Sequence, residues 1–115
     1  METIIYLNFE WDREKAKKNK IKHGIGFKTA AKVFNDPNRL DLPDDEHSFG
    51  ESRRKVIGMV DDILFVIYTE RHDRIRLISA REAEDDERSE YYAYGGKLGI
   101  LHDESRRTVD GGAKS

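Results

Sequence analysis

Two β-forming runs separated by only two residues constrain this chain more than any other feature. The first is residues 63–71 (ILFVIYTER), the second residues 74–81 (RIRLISAR), with His72-Asp73 between them. Both arms are rich in β-branched and aromatic residues, which fit a pleated surface. A link this short predicts an antiparallel hairpin, and without a glycine its turn type stays open. Alternation in the second arm sets Ile75 and Leu77 on one face and Arg74, Arg76 and Ile78 on the other. The hairpin therefore predicts a sheet with one dry face and one face suited to anions, which is the expected functional surface.

The remaining elements follow in order. Residues 4–11 alternate, with Ile5, Leu7, Phe9 and Trp11 on one side, and predict one short strand. Asp12 reads as the N-cap of a helix ending near His23, with Gly24 as its stop. The inward stripe of that helix is Ala16, Asn19, Lys20 and His23, poor in hydrocarbon. The helix must pack lightly or use Asn19 and His23 as buried hydrogen-bond partners. A second helix over 27–35 carries Phe27, Ala30, Ala31, Val33 and Phe34 at core spacing, and Pro37 ends it. A weak strand over 39–42, an acidic loop over 43–51 and a strand over 53–60 lead through Asp61-Asp62 into the hairpin. A last helix spans 82–94. The expected fold class is α+β: an antiparallel sheet of one N-terminal strand plus a three-stranded meander, with two N-terminal helices and one C-terminal helix on one face. Residues 1–95 are expected to form one domain and 96–115 a polar, mobile tail.

Charge narrows the function. With 38% charged and 37% hydrophobic residues, a chain of 115 residues supports one small core. A net charge of −2 excludes the strongly basic signature of a simple nucleic-acid binder. The charges are segregated, however. Residues 11–28 carry Arg13, Lys15, Lys17, Lys18, Lys20, Lys22 and Lys28 against Asp12 and Glu14. Residues 36–51 are acidic, 53–81 net basic and 82–90 acidic again. Such a bipolar chain can hold an anion on one side and a basic partner on another. The absence of cysteine excludes disulfides and thiolate zinc sites. No leader or membrane-length apolar run is evident, so a cytoplasmic location without membrane contact is expected.

Arg53, Arg71, Arg76 and Arg81 form the cationic set. A planar guanidinium grips phosphate through two parallel bonds, and several together stabilise a pentacoordinate phosphorane. Strand arginines also cover exposed sheet faces and pair with carboxylates, and that reading stays open beside the first. Tyr68 could donate to a phosphate or stack on a base, or be a core tyrosine with a satisfied hydroxyl. Ser79 and Thr69 could add neutral donors, or be plain strand hydroxyls. His47, in the loop beside Glu46 and Glu51, is the best candidate acid or base because an unperturbed imidazole titrates near neutrality; the other reading is a solvent-exposed histidine in a polar loop. Lys15, Lys18 and Lys22 line one helix face and suit a phosphate backbone or plain solvation. The run from Asp44 to His47 matches no metal-site spacing, and no metal or other cofactor is expected.

Taken together, several stretches resemble the BrnT family of type II toxins. They are Phe9-Glu10-Trp11-Asp12 with Lys15-Ala16 and Asn19; Lys22-His23-Gly24-Ile25 with Phe27; Ala30-Ala31, Val33-Phe34 and Asp36-Pro37; Asp44 to His47 with Gly50-Glu51, Arg53 and Gly58; and Tyr68-Thr69-Glu70-Arg71, residues 74–81, Glu87-Arg88 and Tyr91. The resemblance implies a RelE-like ribonuclease fold and metal-independent cleavage of mRNA through the RNA 2′-hydroxyl. It implies inhibition of translation, and neutralisation by a BrnA-type ribbon-helix-helix antitoxin in a 2:2 complex that binds operator DNA through the antitoxin. By matching position, His47, Glu51, Arg53, Arg71, Arg76, Ser79 and Arg81 fall in the family's motif; which of them is base and which acid is left open. One departure stands out: residues 82–87, often basic in the family, read EAEDDE here. The rival reading is a non-catalytic, toxin-like module that acts with its antitoxin in repression.

Overall fold

The amino-terminal run is a hairpin rather than the single strand expected from its alternation. In the computed structural model, which describes residues 2–47 and 50–96 apart from the His47 side chain, β1 (Thr3–Tyr6) turns back at Leu7-Asn8 into β2 (Phe9–Asp12), pairing Tyr6 with Phe9 and Thr3 with Asp12. Leu7 takes a left-handed φ of 57° and is 73% exposed. The turn breaks the alternation, so Ile4 and Tyr6 join Phe9 and Trp11 against the core, and Ile5 faces solvent.

Helix α1 (Arg13–His23) begins as expected. Its N-cap Asp12 accepts a hydrogen bond from the Lys15 N–H at 3.0 Å, and Gly24 closes it in a left-handed conformation. Its contact with the sheet is unusual because it is largely polar. Strand β2 pairs with β6 (Arg74–Glu82) only at Phe9 and Glu10, opposite Ile75 and Arg76. Beyond that point the outer edge of β6 has lost its neighbour, and Asn19 takes the strand's place. Its Nδ2 donates to the Ala80 carbonyl at 2.8 Å and to the Ile25 carbonyl at 3.0 Å, and its Oδ1 accepts from the Ala80 N–H at 3.1 Å. A buried peptide edge needs such partners.

The second expected helix divides into α2 (Phe27–Ala31) and a 3₁₀ turn (Lys32–Asn35). Val33 of that turn lies over Gly58, where an added Cβ would meet Val33 Cβ at 3.0 Å, so this glycine permits the close approach. Strands β3 (Leu40–Pro43), β4 (Arg54–Val60), β5 (Asp62–Arg71) and β6 form the antiparallel part of a six-stranded sheet in the order β1-β2-β6-β5-β4-β3. Because β2 runs parallel to β6, the sheet is mixed rather than purely antiparallel. The link between β5 and β6 is His72-Asp73, with His72 in the left-handed region at φ 57°.

Helices cover both faces, not one. On the first face α1, α2 and the 3₁₀ turn bury Phe27, Ala30, Ala31 and Val33 against Phe9, Trp11, Val56, Leu64, Val66, Leu77 and Ala80. On the second face α3 (Asp85–Tyr94) buries Tyr91 against Leu40, Ile57 and Ile63. The expected tail beyond residue 96 lies outside the described residues.

Replacing Asn19 by Ala should destabilise the fold by about 2–4 kcal/mol, since it strands both buried polar groups of Ala80. Chemical denaturation of the two proteins measures this, and a cost under about 0.5 kcal/mol would mean the helix is held by other contacts.

Candidate functional site

A one-residue irregularity in the hairpin builds the site. Opposite Ile67 and Tyr68 of β5, β6 pairs Ser79 and Leu77, so Ile78 is an extra residue. Strict alternation would put Ser79 and Arg81 on the face of Leu77, inside the core. The bulge reverses the phase after Leu77. Ala80 now shares the core face with Leu77, while Ser79 and Arg81 join Arg76 on the second face. There Arg81 sits beside Phe65, Ser79 beside Ile67, and Arg76 beside Thr69.

The part of this face that α3 leaves open is a groove of about 510 Å³, floored by Phe65, Ile67, Ile78 and Ser79. Arg53, Lys55 and Arg81 supply its cations; Asp44, Glu46, Glu84, Asp86, Glu87 and Glu90 supply twice as many carboxylates. A second hollow of about 340 Å³ adjoins it at Arg53 and is lined by Glu51, Ser52, Thr69 and Glu70 among others. Of the expected site residues, Arg53, Ser79 and Arg81 thus line one groove, and Glu51 lies next door.

Each arginine of β5 and β6 in the expected set is engaged. Arg81 gives Nη1 and Nη2 to the two oxygens of Glu87, both at 2.8 Å, and its guanidinium lies 4.2 Å from the Phe65 ring centre. Arg76 bonds Glu10 at 2.7 Å with both side chains largely buried, so it also ties β6 to β2. Arg71 pairs with Glu51 at 3.2 Å near the surface. That hydrogen bond outweighs a small burial effect and holds Glu51 below its ordinary pKa, with Arg53 and Arg76 adding to the pull.

Other expected residues stand elsewhere. Tyr68 is buried on the first face, where its hydroxyl donates to Asp41 at 2.6 Å and Asp41 also pairs with Arg54. Burial and that hydrogen bond push the phenol pKa well up, so it is a core tyrosine turned away from the groove. Lys15, Lys18 and Lys22 are exposed on α1, over the opposite face of the sheet. The His47 side chain lies outside the described residues. Lys55 was missed, although it stands two residues after Arg53 on β4, a spacing that puts both on one face. Glu84, Asp86 and Glu87 bring carboxylate oxygens within 4.8 Å of one another. Glu87 is committed to Arg81, so this trio is not directed at a single ion.

Residues 11–87 match the family model described as ribonuclease toxin, BrnT, of type II toxin-antitoxin system. Among solved structures, that of the Brucella abortus ribonuclease toxin BrnT aligns with a TM-score of 0.53 at 25% identity, covering 65% of this chain and 94% of that one. No curated protein matches the chain.

Two carboxylates make stability depend on pH. Burial alone would raise the pKa of Glu87, but hydrogen bonds from Arg81 and the Glu84 N–H outweigh it and lower it. Burial likewise opposes the hydrogen bonds to Asp36 from the Tyr91 hydroxyl and the Met59 and Asn38 amides, and the net shift is again downward. A depressed carboxylate stabilises the fold above its unfolded pKa, and that contribution is lost as pH falls through the folded value. Melting temperature should therefore fall as pH drops from 7 through the carboxylate range, and less steeply in Glu87→Gln; identical slopes would rule out a contribution from Glu87.

Proposed function

The chain belongs to the BrnT ribonuclease-toxin family of type II toxin-antitoxin systems, and on that premise we propose that it is an endoribonuclease that cleaves mRNA without a metal ion. In this reading the 2′-hydroxyl of one ribose attacks the adjacent phosphorus. The bond to the 5′-oxygen of the next nucleotide breaks, leaving a 2′,3′-cyclic phosphate and a free 5′-hydroxyl. One group must remove the 2′ proton and another must protonate the departing oxygen. Glu51, whose carboxylate form Arg71 stabilises further, and His47 are the two members of the set able to exchange those protons. Arg53, Lys55 and Arg81 face the phosphate and offset the charge that builds on it; Ser79 adds a neutral donor.

The observation that carries this reading is the convergence of Arg53 and Lys55, at the start of β4, with Ser79 and Arg81 of β6 across the intervening β5 on one open groove. Phe65 and Ile67 beneath them offer an apolar floor on which a base can stack. Among the described residues no helix is long and apolar enough to cross a membrane. The reading includes action in the cytoplasm, a RelE-like chain path, and a BrnA-type antitoxin that forms a 2:2 complex and carries the operator-binding half. Lys15, Lys18 and Lys22 would meet the RNA backbone, or the partner, away from the groove.

A second reading has its own support. Carboxylates outnumber cations around the groove, and Arg81 is already paired. A module that binds its antitoxin and assists repression without cutting RNA fits that balance.

Purified protein incubated with RNA in EDTA separates the two. Cleavage that yields cyclic-phosphate ends and stops on addition of the antitoxin supports the nuclease, and Arg53→Ala should then slow it by about 100-fold. Intact RNA beside a stable antitoxin complex supports the non-catalytic module.

A further inference from the structure

The Arg81–Glu87 pair has the geometry of a guanidinium holding a phosphate, with a carboxylate in the phosphate's position. Two parallel bonds at 2.8 Å fill the fork. The guanidinium carbon lies over the Phe65 ring, 4.2 Å from its centre, a cation–π contact that helps to hold the fork in place. The pair is only partly exposed, Arg81 at 29% and Glu87 at 12%, so solvent screens it less than a surface ion pair. Glu87 lies in the first turn of α3, beside Glu84 and Asp86 on the groove wall.

Resting on the ribonuclease reading above, we infer that Glu87 is an autoinhibitory clamp: it occupies the Arg81 fork as an internal stand-in for an RNA phosphate, and RNA engages the groove only by displacing it. The helix need not leave for this exchange. Its own anchors are separate: Tyr91 is buried with Leu40, Ile57 and Ile63, the Tyr91 hydroxyl donates to Asp36 at 2.6 Å, and Arg88 pairs with Asp62 at 2.9 Å. Rotation of one side chain frees the fork while α3 stays seated. The clamp raises the concentration of RNA needed for binding, because Arg81 meets a phosphate only after Glu87 has given up both its bonds.

Glu87 also caps its helix, accepting the Glu84 N–H at 2.8 Å, so a test must retain that bond. Gln at this position does so without the charge. Binding of a short 2′-O-methyl oligoribonucleotide, which lacks the attacking hydroxyl, reads the clamp independently of cleavage. Glu87→Gln should bind about tenfold more tightly than the parent chain. The gain should vanish in Glu87→Gln with Arg81→Ala. It should be absent in Asp85→Asn, which removes one charge from the same helix at a residue outside the groove lining. Glu87→Asp, which keeps the charge but shortens the reach, should show a smaller gain and serves if the Gln variant fails to fold. Unchanged affinity in the folded Glu87 variants, or an equal gain in Asp85→Asn, overturns the clamp. Cleavage of the corresponding all-ribose strand is followed in parallel. A gain in binding with no cleavage by any variant would sink the nuclease reading and leave the clamp standing.

Discussion

The extra residue at Ile78 is the constraint on which the rest of this architecture depends. Strand β6 must satisfy two demands that strict alternation cannot meet together. It must send Leu77 and Ala80 into the core beneath α1 and α2, and it must send Arg76, Ser79 and Arg81 to the other side. A single bulge meets both by reversing the phase midway along the strand. Without it, Arg81 would point into hydrocarbon, where an unpaired guanidinium is prohibitively costly. Asn19 then secures the strand where it loses its neighbour β2, so that the bulged edge is held by a side-chain amide in place of a backbone ladder.

Much of this was legible in the amino acids. The β5–β6 hairpin, its two-residue link, the Asp12 cap, the Gly24 stop and the buried role of Asn19 all follow from local chemistry that tertiary contacts did not overrule. The misses share a physical origin. The Leu7-Asn8 turn has no glycine to announce it, and the chain accepts a left-handed leucine there. Parallel pairing of β2 with β6 joins residues far apart in sequence, which local periodicity does not report. The bulge leaves every residue in a β-competent position and alters only its direction, so the pattern of residue types contains no mark of it. Side-chain chemistry and family resemblance both named Ser79 and Arg81, and neither explained how they reach the face of Arg76.

Charge separation becomes spatial in the fold. The lysines of α1 lie over one face of the sheet, and the carboxylates of α3 wall the groove on the other. A chain of net charge −2 therefore presents two opposed surfaces, each far from neutral. The six-carboxylate wall also shows why possession of arginines in a cleft does not by itself specify an open anion site: here the protein supplies its own counter-charge.

The parallel seam between β2 and β6 has a consequence for biosynthesis. Glu10 finds Arg76 only 66 residues later, so the amino-terminal third leaves the ribosome before the strand it docks against has been translated. The nascent chain cannot assemble the groove piecemeal. Arg53, Ser79 and Arg81 become neighbours only when β4, β5 and β6 have all emerged, and α1 can settle over Ala80 only after that. Loop closure over such a span is slow beside local hairpin formation. The cationic lining of the groove is thus complete only once β6 has been made, long after the residues of β2 that it pairs with.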